Sequence, residues 1–294
     1  MSVTIIINPI SGGASPEQAR ARAHLASAVV DKHGDPAEVF VTEGRGHARE
    51  LARAAVRRGT RLVISWGGDG TLNEVASALA FQEDVPLGLV PAGSGNGFAR
   101  ELGVDMRPER AIADAIRAEP RAIDLGEVDD RLFVNVAGFG FDAHVAAEFD
   151  KRGGRRGFAG YAAITARALL TYVPRTYTIT TADDCKASRA ILVTVANSAQ
   201  FGNGARIAPR ALLDDGLLDL VVVKERARWR TMCHVPRLFD GTVERIPGCS
   251  ICHVQRATIE SDQPLLFHVD GEPVQGGKRA RVRVHPAALR VAVR

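Results

Sequence analysis

The run Trp66-Gly67-Gly68-Asp69-Gly70-Thr71-Leu72-Asn73-Glu74-Val75 constrains this 294-residue chain more than any other segment. Val63-Ile64-Ser65-Trp66 is short and apolar enough for a buried strand, and Leu72, Val75, Ala76 and Leu79 then recur at helical spacing. Glycines occupy the junction. A strand, a turn free of side chains and a helix N-terminus make a cradle for an anion. Gly67, Gly68 and Gly70 let backbone N–H groups approach closely, and the first helical turn points its dipole at whatever binds. Asp69 inside such a cradle would repel a phosphate on its own, so it points to a bridging divalent cation or to proton transfer. An ordinary strand-to-helix turn with an Asp near the N-cap would account for one glycine, but not for several around an acid.

The segments around this junction predict an α/β domain. Short β-rich runs at Val3 to Ile7, Ala37 to Thr42, Leu62 to Ser65 and Leu87 to Val90 alternate with helical patterns at Pro16 to Lys32, Gly46 to Arg58, Thr71 to Leu79, Gly97 to Leu102 and Arg107 to Arg117. Strands joined by crossover helices imply a parallel, doubly wound sheet, which binds ligands beyond the carboxyl ends of its strands. After Arg121 the texture becomes a succession of strands: Ile123 to Gly126, Leu132 to Val136, Thr176 to Thr180, Ala190 to Ala196, Leu217 to Val223, Ala257 to Glu260, Leu265 to Val269, Ala280 to Val284 and Ala288 to Val293. That series predicts a mostly antiparallel β-sandwich. The expected division is an α/β domain over 1–122, to which a strand near 286–294 returns, and a β-sandwich over 123–285, with the site in a cleft between them.

Composition narrows the function classes. With 46% hydrophobic and 24% charged residues the chain has the make-up of a globular protein, and no run approaches the ~20 apolar residues of a membrane span. The N-terminus enters Val3-Thr4-Ile5 with no basic region or small-residue cleavage site, which predicts a cytoplasmic chain. Net charge is +4 and aromatics are only 5%, with no basic stretch interleaved with stacking rings, so nucleic acid is not an expected partner. Cys249 and Cys252 form a lone CxxC without a second pair, and are expected to be buried or half-buried thiols.

Two further loops resemble the first cradle. Asn8-Pro9-Ile10-Ser11-Gly12-Gly13 follows the first strand, and Pro91-Ala92-Gly93-Ser94-Gly95-Asn96-Gly97 follows the strand ending at Val90. None matches GxxxxGK[ST] or a positioned GxGxxG, which argues against a P-loop NTPase and a standard dinucleotide fold. In that order and spacing these three segments resemble the diacylglycerol kinase catalytic domain family, which includes bacterial diacylglycerol kinases and the sphingosine and ceramide kinases. The resemblance continues through Ile123-Asp124-Leu125-Gly126, Asn135 to Asp142, Asp214 to Asp219 and Asp270-Gly271-Glu272-Pro273, and so covers nearly the whole chain.

The resemblance implies an ATP- and Mg2+-dependent lipid kinase with an N-terminal nucleotide domain and a C-terminal lipid-substrate domain. By family pattern ATP would touch Asn8, Thr42, Gly67, Gly68, Asp69, Gly70, Thr71, Leu72, Asn73, Gly93 and Ser94, and Asp69 would hold magnesium or the reacting group. Asp124 would join the metal and water network near the phosphates. The 212–217 loop resembles a structural magnesium site, with a carboxylate from Asp215 and backbone carbonyls from Leu212 and Leu217. Glu272 would be the proton acceptor; on sequence grounds alone Asp69, Asp270 and Glu272 all compete for that role. One departure stands out: many bacterial relatives carry Asn-Asp where this chain has Asn96-Gly97, a form similar to the sphingosine and ceramide kinase branch. The resemblance thus leaves the expected acceptor open between diacylglycerol and a related sphingoid or ceramide-like lipid.

Duller readings accompany each residue. Asp270-Gly271 and Asp214-Asp215-Gly216 read as turns, Asp142 as a helix cap near Ala143, and the scattered histidines as surface or core. The basic run at 151–157, Lys151 to Gly157, ahead of the amphipathic stretch Tyr161 to Leu170, is a candidate for peripheral membrane contact. Family members often dimerise, though no surface strip identifies a homodimer interface here. Competing functions are a kinase for a soluble acceptor such as NAD, and a nucleotide- or lipid-binding regulator without catalysis.

Overall fold

Val3–Ile7 (β1) is buried at every position, as a central strand covered on both faces must be. The computed structural model describes residues 2–151, 164–165, 167–169, 171–202 and 204–294, and the chain divides into two units, Met1–Ile123 with Ala287–Arg294, and Asp124–Pro286. In the first unit β1 is followed by α1 (Pro16–Lys32), β2 (Ala37–Val41), α2 (His47–Arg57), β3 (Leu62–Gly67), α3 (Asp69–Leu79), β4 (Leu87–Pro91), α4 (Gly97–Glu101) and α5 (Pro108–Arg117). The strands pair in parallel in the order β2-β1-β3-β4, and Val291 of the last strand pairs with Leu87 at the far side. Ile7 stands level with Val41 and Trp66, and Gly67 with Pro91, so the segments after all four strands leave the sheet at one edge.

Local chemistry explains these elements. Ser15 and Gln18 close a capping box at the start of α1, with Pro16 in its first turn. Ala26 and Val30 of α1 pack with Ile112 and Ala115 of α5 over Ile5, Ile7, Ile64 and Trp66 of the sheet. Each such large side chain, fully buried, contributes about 1.5–3 kcal/mol. Helix α3 begins at Asp69, two residues earlier than its apolar spacing predicts, because Gly68 is extended and its carbonyl already accepts from the Leu72 N–H.

The second unit is antiparallel throughout. It contains β5 (Arg121–Val128, entering from the first unit), β6 (Arg131–Phe133), β7 (Val136–Gly140), α6 (Phe141–Lys151), β8 (Arg175–Thr180), β9 (Cys185–Ala196), β10 (Gln200–Gly202), β11 (Ala205–Arg206), β12 (Leu218–Lys224), α7 (Arg228–His234), α8 (Pro236–Phe239), β13 (Cys249–Val254), β14 (Arg256–Glu260), β15 (Leu266–Val269), β16 (Glu272–Gln275) and β17 (Arg279–Val291). The sheet runs β16-β15-β7-β9-β8-β14-β17, while the second half of β9 also pairs with β12, which pairs with β13. A sandwich core forms where inward positions of these strands meet, with Phe139 stacked on Phe267 at 5.4 Å beside Tyr177, Ile179, Val193, Leu220 and Ile259.

The structure departs from the sequence expectations in further places. The run Leu132 to Val136 is broken between β6 and β7, because the N–H groups of Val134, Asn135 and Val136 are taken by the Asp270 carboxylate instead of a ladder. Ala280 to Val284 and Ala288 to Val293 are one strand, β17, which passes through Pro286 and a left-handed Ala287. Cys249–Val254 is a strand that weak alternation did not reveal. Of its two thiols Cys249 is half-buried, and burial pushes it up to about 11, whereas Cys252 is exposed.

Candidate active site

In the first unit the glycine-bearing loops are locked to one another at the carboxyl edge of the sheet. Gly68 and Gly93 face each other so closely that a Cβ on Gly93 would stand 2.7 Å from the Gly68 Cα. A Cβ on Gly12, whose φ is +70°, would stand 2.7 Å from the Ala92 carbonyl oxygen, so the first loop lies against the third. The Asn8 amide donates to Thr71 Oγ1 at 2.8 Å, joining the first loop to α3. Within the third loop the Asn96 side chain accepts from the Gly93 N–H at 2.7 Å and donates to the Gly93 carbonyl at 2.8 Å.

Asp69 ties the second loop to the third. Burial raises its carboxyl above the ordinary aspartate value, and the backbone N–H groups of Gly97, Phe98 and Asn96 partly offset that by hydrogen-bonding the carboxylate. The N-terminus of α4 is thus already filled by an internal anion, and Gly97 supplies one of its donors. The start of α3 is different. Leu72 makes the first helical hydrogen bond, so the N–H groups of Gly70 and Thr71 precede the helical ladder and are the donors a phosphate would meet. Thr42, Leu72 and Asn73 are buried beneath this edge, while Ser94 is exposed at the tip of the third loop.

In the second unit, Asp124 and the 212–217 loop come together. Asp124 donates its N–H to the Leu213 carbonyl at 2.6 Å and accepts from the Gly216 N–H on Oδ2 at 2.6 Å, and Asn197 Nδ2 holds its carbonyl at 2.9 Å. Asp215 Oδ1 accepts from the Leu217 N–H at 3.0 Å. Asp215 and Leu212 are exposed. Among the described residues no three His, Cys, Asp or Glu side chains gather closely enough to hold a metal between them. A cation at this loop would therefore rest on one carboxylate and backbone carbonyls. That all-oxygen donor set suits a hard ion such as Mg2+.

Glu272 lies exposed just past a two-residue hairpin turn, Asp270-Gly271, with φ +47° and +86° between the paired Val269 and Glu272. The Asp270 carboxylate accepts from the N–H groups of Val134, Asn135 and Val136 at 2.9–3.0 Å. The Gly271 N–H donates to His268 Nδ1 at 3.2 Å, which leaves Nε2 to carry the hydrogen shared with Asp142 Oδ2 at 3.3 Å. Thr194 Oγ1 donates to the same oxygen at 3.2 Å, and the Ala143 N–H to Asp142 Oδ1 at 2.8 Å. His268 is buried, only 4% exposed.

Sequence reasoning missed the His268–Asp142 pair, because partners 126 positions apart leave no local signal. It also passed over Arg22, which reaches the carbonyls of Asn8 and Ser11 with its guanidinium over the Trp66 ring, and Glu74, whose carboxylate accepts from Gly46 and Ala48 at the start of α2. Glu74 sits within the glycine motif itself, which was a usable signal. Of the basic run at 151–157, Lys151 ends α6 and pairs with Glu148, and the remainder lies outside the described residues. Among the described residues no helix is long and apolar enough to cross a membrane.

Comparison with known proteins bears on this arrangement. Residues 2–128 match the diacylglycerol kinase catalytic domain, and residues 135–293 match the YegS C-terminal NAD kinase beta sandwich-like domain. The chain belongs to the YegS-like family of lipid kinases. Relatives in that family include a "Probable lipid kinase YegS-like" of Stenotrophomonas maltophilia, 33% identical over 86% of this chain and 85% of its own length. Another, from Chromohalobacter salexigens, is 31% identical over 90% and 86%. A diacylglycerol kinase from Bacillus anthracis shares the fold with a TM-score of 0.76 at 19% identity, covering 100% of this chain and 97% of that one. An NAD kinase from Archaeoglobus fulgidus shares it more distantly, at 0.57 and 11%, covering 99% and 93%. The YegS-like fold thus pairs an α/β unit with a β-sandwich unit, as the strand patterns predict.

Proposed function

We propose that this YegS-like chain is an ATP- and Mg2+-dependent lipid kinase that phosphorylates the hydroxyl of diacylglycerol or a related sphingoid or ceramide-like lipid, working peripherally at a membrane. The observation that carries the reading is the set of glycine loops locked around the start of α3, in a chain whose two units both match the family. Phosphoryl transfer proceeds through a loose transition state and asks the protein mainly for positioning and charge neutralisation. Backbone N–H groups at Gly70 and Thr71 would supply part of that neutralisation, and Asn8 holds Thr71 in place. Magnesium, when bound, would neutralise phosphate charge, and Asp215 with the carbonyls of Leu212 and Leu217 would hold a structural ion.

Glu272 is favoured as acceptor of the lipid hydroxyl proton by its exposure beside a turn that is held in place. The Asp270 carboxylate accepts from the backbone N–H groups of Val134, Asn135 and Val136 and so anchors that turn. The Asp69 carboxylate is buried and held by the backbone N–H groups at the start of α4. Glu272 is exposed on a turn fixed from both sides.

The test is transfer of labelled phosphate from Mg·ATP to a panel of detergent-dispersed lipids, with NAD and a no-acceptor control in parallel. A labelled lipid product is expected, and Glu272→Gln should keep ATP affinity while transfer falls by about a hundredfold or more. Labelled NADP would replace this reading with a soluble-acceptor kinase. No product despite ATP binding would replace it with a non-catalytic regulator.

A further inference from the structure

Three large apolar side chains stand exposed on one short stretch of the second unit: Met232 at 53%, Val235 at 41% and Phe239 at 51%. They lie on α7 and α8, and Val235 between those helices has φ −53° and ψ −41°, so the segment turns as one helix. At about 100° per residue these positions fall within about 60° of one another. Leu238 faces elsewhere and packs on the cluster of Val136, Ala196, Ile207 and Val221. One apolar stripe is therefore seated and a second, beside it, meets solvent.

The sequence that carries this stripe is unbalanced in charge. Residues 224–245 carry Lys224, Arg226, Arg228, Arg230, Arg237 and Arg245 against Glu225, Asp240 and Glu244. Glu225 pairs with Arg189 and Glu244 with Arg210, both from outside the segment, and Asp240 accepts from the Thr242 N–H. A second copy of the chain would bring like charge against like. An anionic bilayer accepts both parts, the stripe in its headgroup–acyl boundary and the cations at its phosphates.

We propose that the α7–α8 segment is the surface by which this enzyme docks on anionic lipid bilayers, with Met232, Val235 and Phe239 entering the interface. The inference rests on the lipid kinase reading and gives it a place of contact. It also joins the docking surface to the candidate site, because Leu238 packs on a cluster that includes Val136, one of the residues whose N–H holds Asp270 in the turn before Glu272.

The experiment is co-sedimentation of the full chain with phosphatidylcholine vesicles, with and without phosphatidylglycerol, for the parent and for the Met232→Ser, Val235→Ser, Phe239→Ser triple variant. The parent should bind the anionic vesicles. The triple variant, with an unchanged melting temperature, should lose about tenfold or more of that affinity, since three partly exposed side chains no longer enter the bilayer. Its transfer to an acceptor held in vesicles should fall in step, and transfer to the same acceptor dispersed in detergent should not. Equal vesicle affinity of parent and variant overturns the proposal. So does a variant that binds vesicles normally but changes from dimer to monomer in sedimentation, which would assign the stripe to a second copy. A parent that phosphorylates no dispersed lipid defeats the kinase reading instead, and the vesicle comparison still decides the docking surface.

Discussion

His268 carries a division of labour that single substitutions can separate. Its Nδ1 accepts from Gly271 in the turn before Glu272, and its Nε2 meets Asp142. Asparagine places an amide oxygen where Nδ1 lies, whereas glutamine places an amide nitrogen near Nε2. His268→Asn should therefore keep the turn bond and retain kcat, with a lower melting temperature from the lost contact to Asp142. His268→Gln should keep that contact and lose about fivefold in kcat, at unchanged KM for ATP, if the turn bond is worth about 1 kcal/mol. Steady-state kinetics with thermal melts on both variants checks this. Equal kcat in the two would reduce His268 to a core residue.

Strands β5 and β17 are joined through their side chains as well as their ladder. Glu127 on β5 accepts from Arg283 Nε at 3.0 Å and Nη2 at 2.9 Å, and meets His285 Nε2 at 2.7 Å, both on β17. Burial alone would raise the Glu127 carboxyl, but the hydrogen bonds from Arg283 and His285 bring it below its ordinary value of 4.5. A carboxyl lowered in the native state binds fewer protons there than in the unfolded chain. Its stabilisation is fully present above that ordinary value and is lost as pH falls through the lowered one. Glu127→Gln should cost about 1–3 kcal/mol near neutral pH, with a gap to the parent that closes in acid. Urea melts at a series of pH values measure it, and a gap independent of pH would assign the loss to packing.

At the scale of the whole molecule, the residues of the proposed chemistry are divided between the units: the glycine loops lie in the first, and Asp124, Asp215 and Glu272 in the second. If the 212–217 loop holds a structural cation, Mg2+ should stabilise the fold by mass action. The parent should then melt at higher temperature as Mg2+ is added without nucleotide, and Asp215→Ala should lose that rise. A rise that survives in Asp215→Ala would place the ion elsewhere.

The amino-acid sequence alone determined the class of each unit and the local form of its elements. Apolar runs such as Val3–Ile7, the Ser15-Pro16 helix start and the glycines after β1, β3 and β4 act through sterics and hydrogen bonds within a few residues, which is why they are legible without coordinates. The rest depends on groups far apart in the chain. Nothing near Asp270 announces that its carboxylate will interrupt a strand 136 residues earlier, and nothing near His268 announces Asp142. That Asp270 serves as a structural clamp was decided only by tertiary structure, because packing brings the backbone N–H groups of Val134, Asn135 and Val136 to its carboxylate.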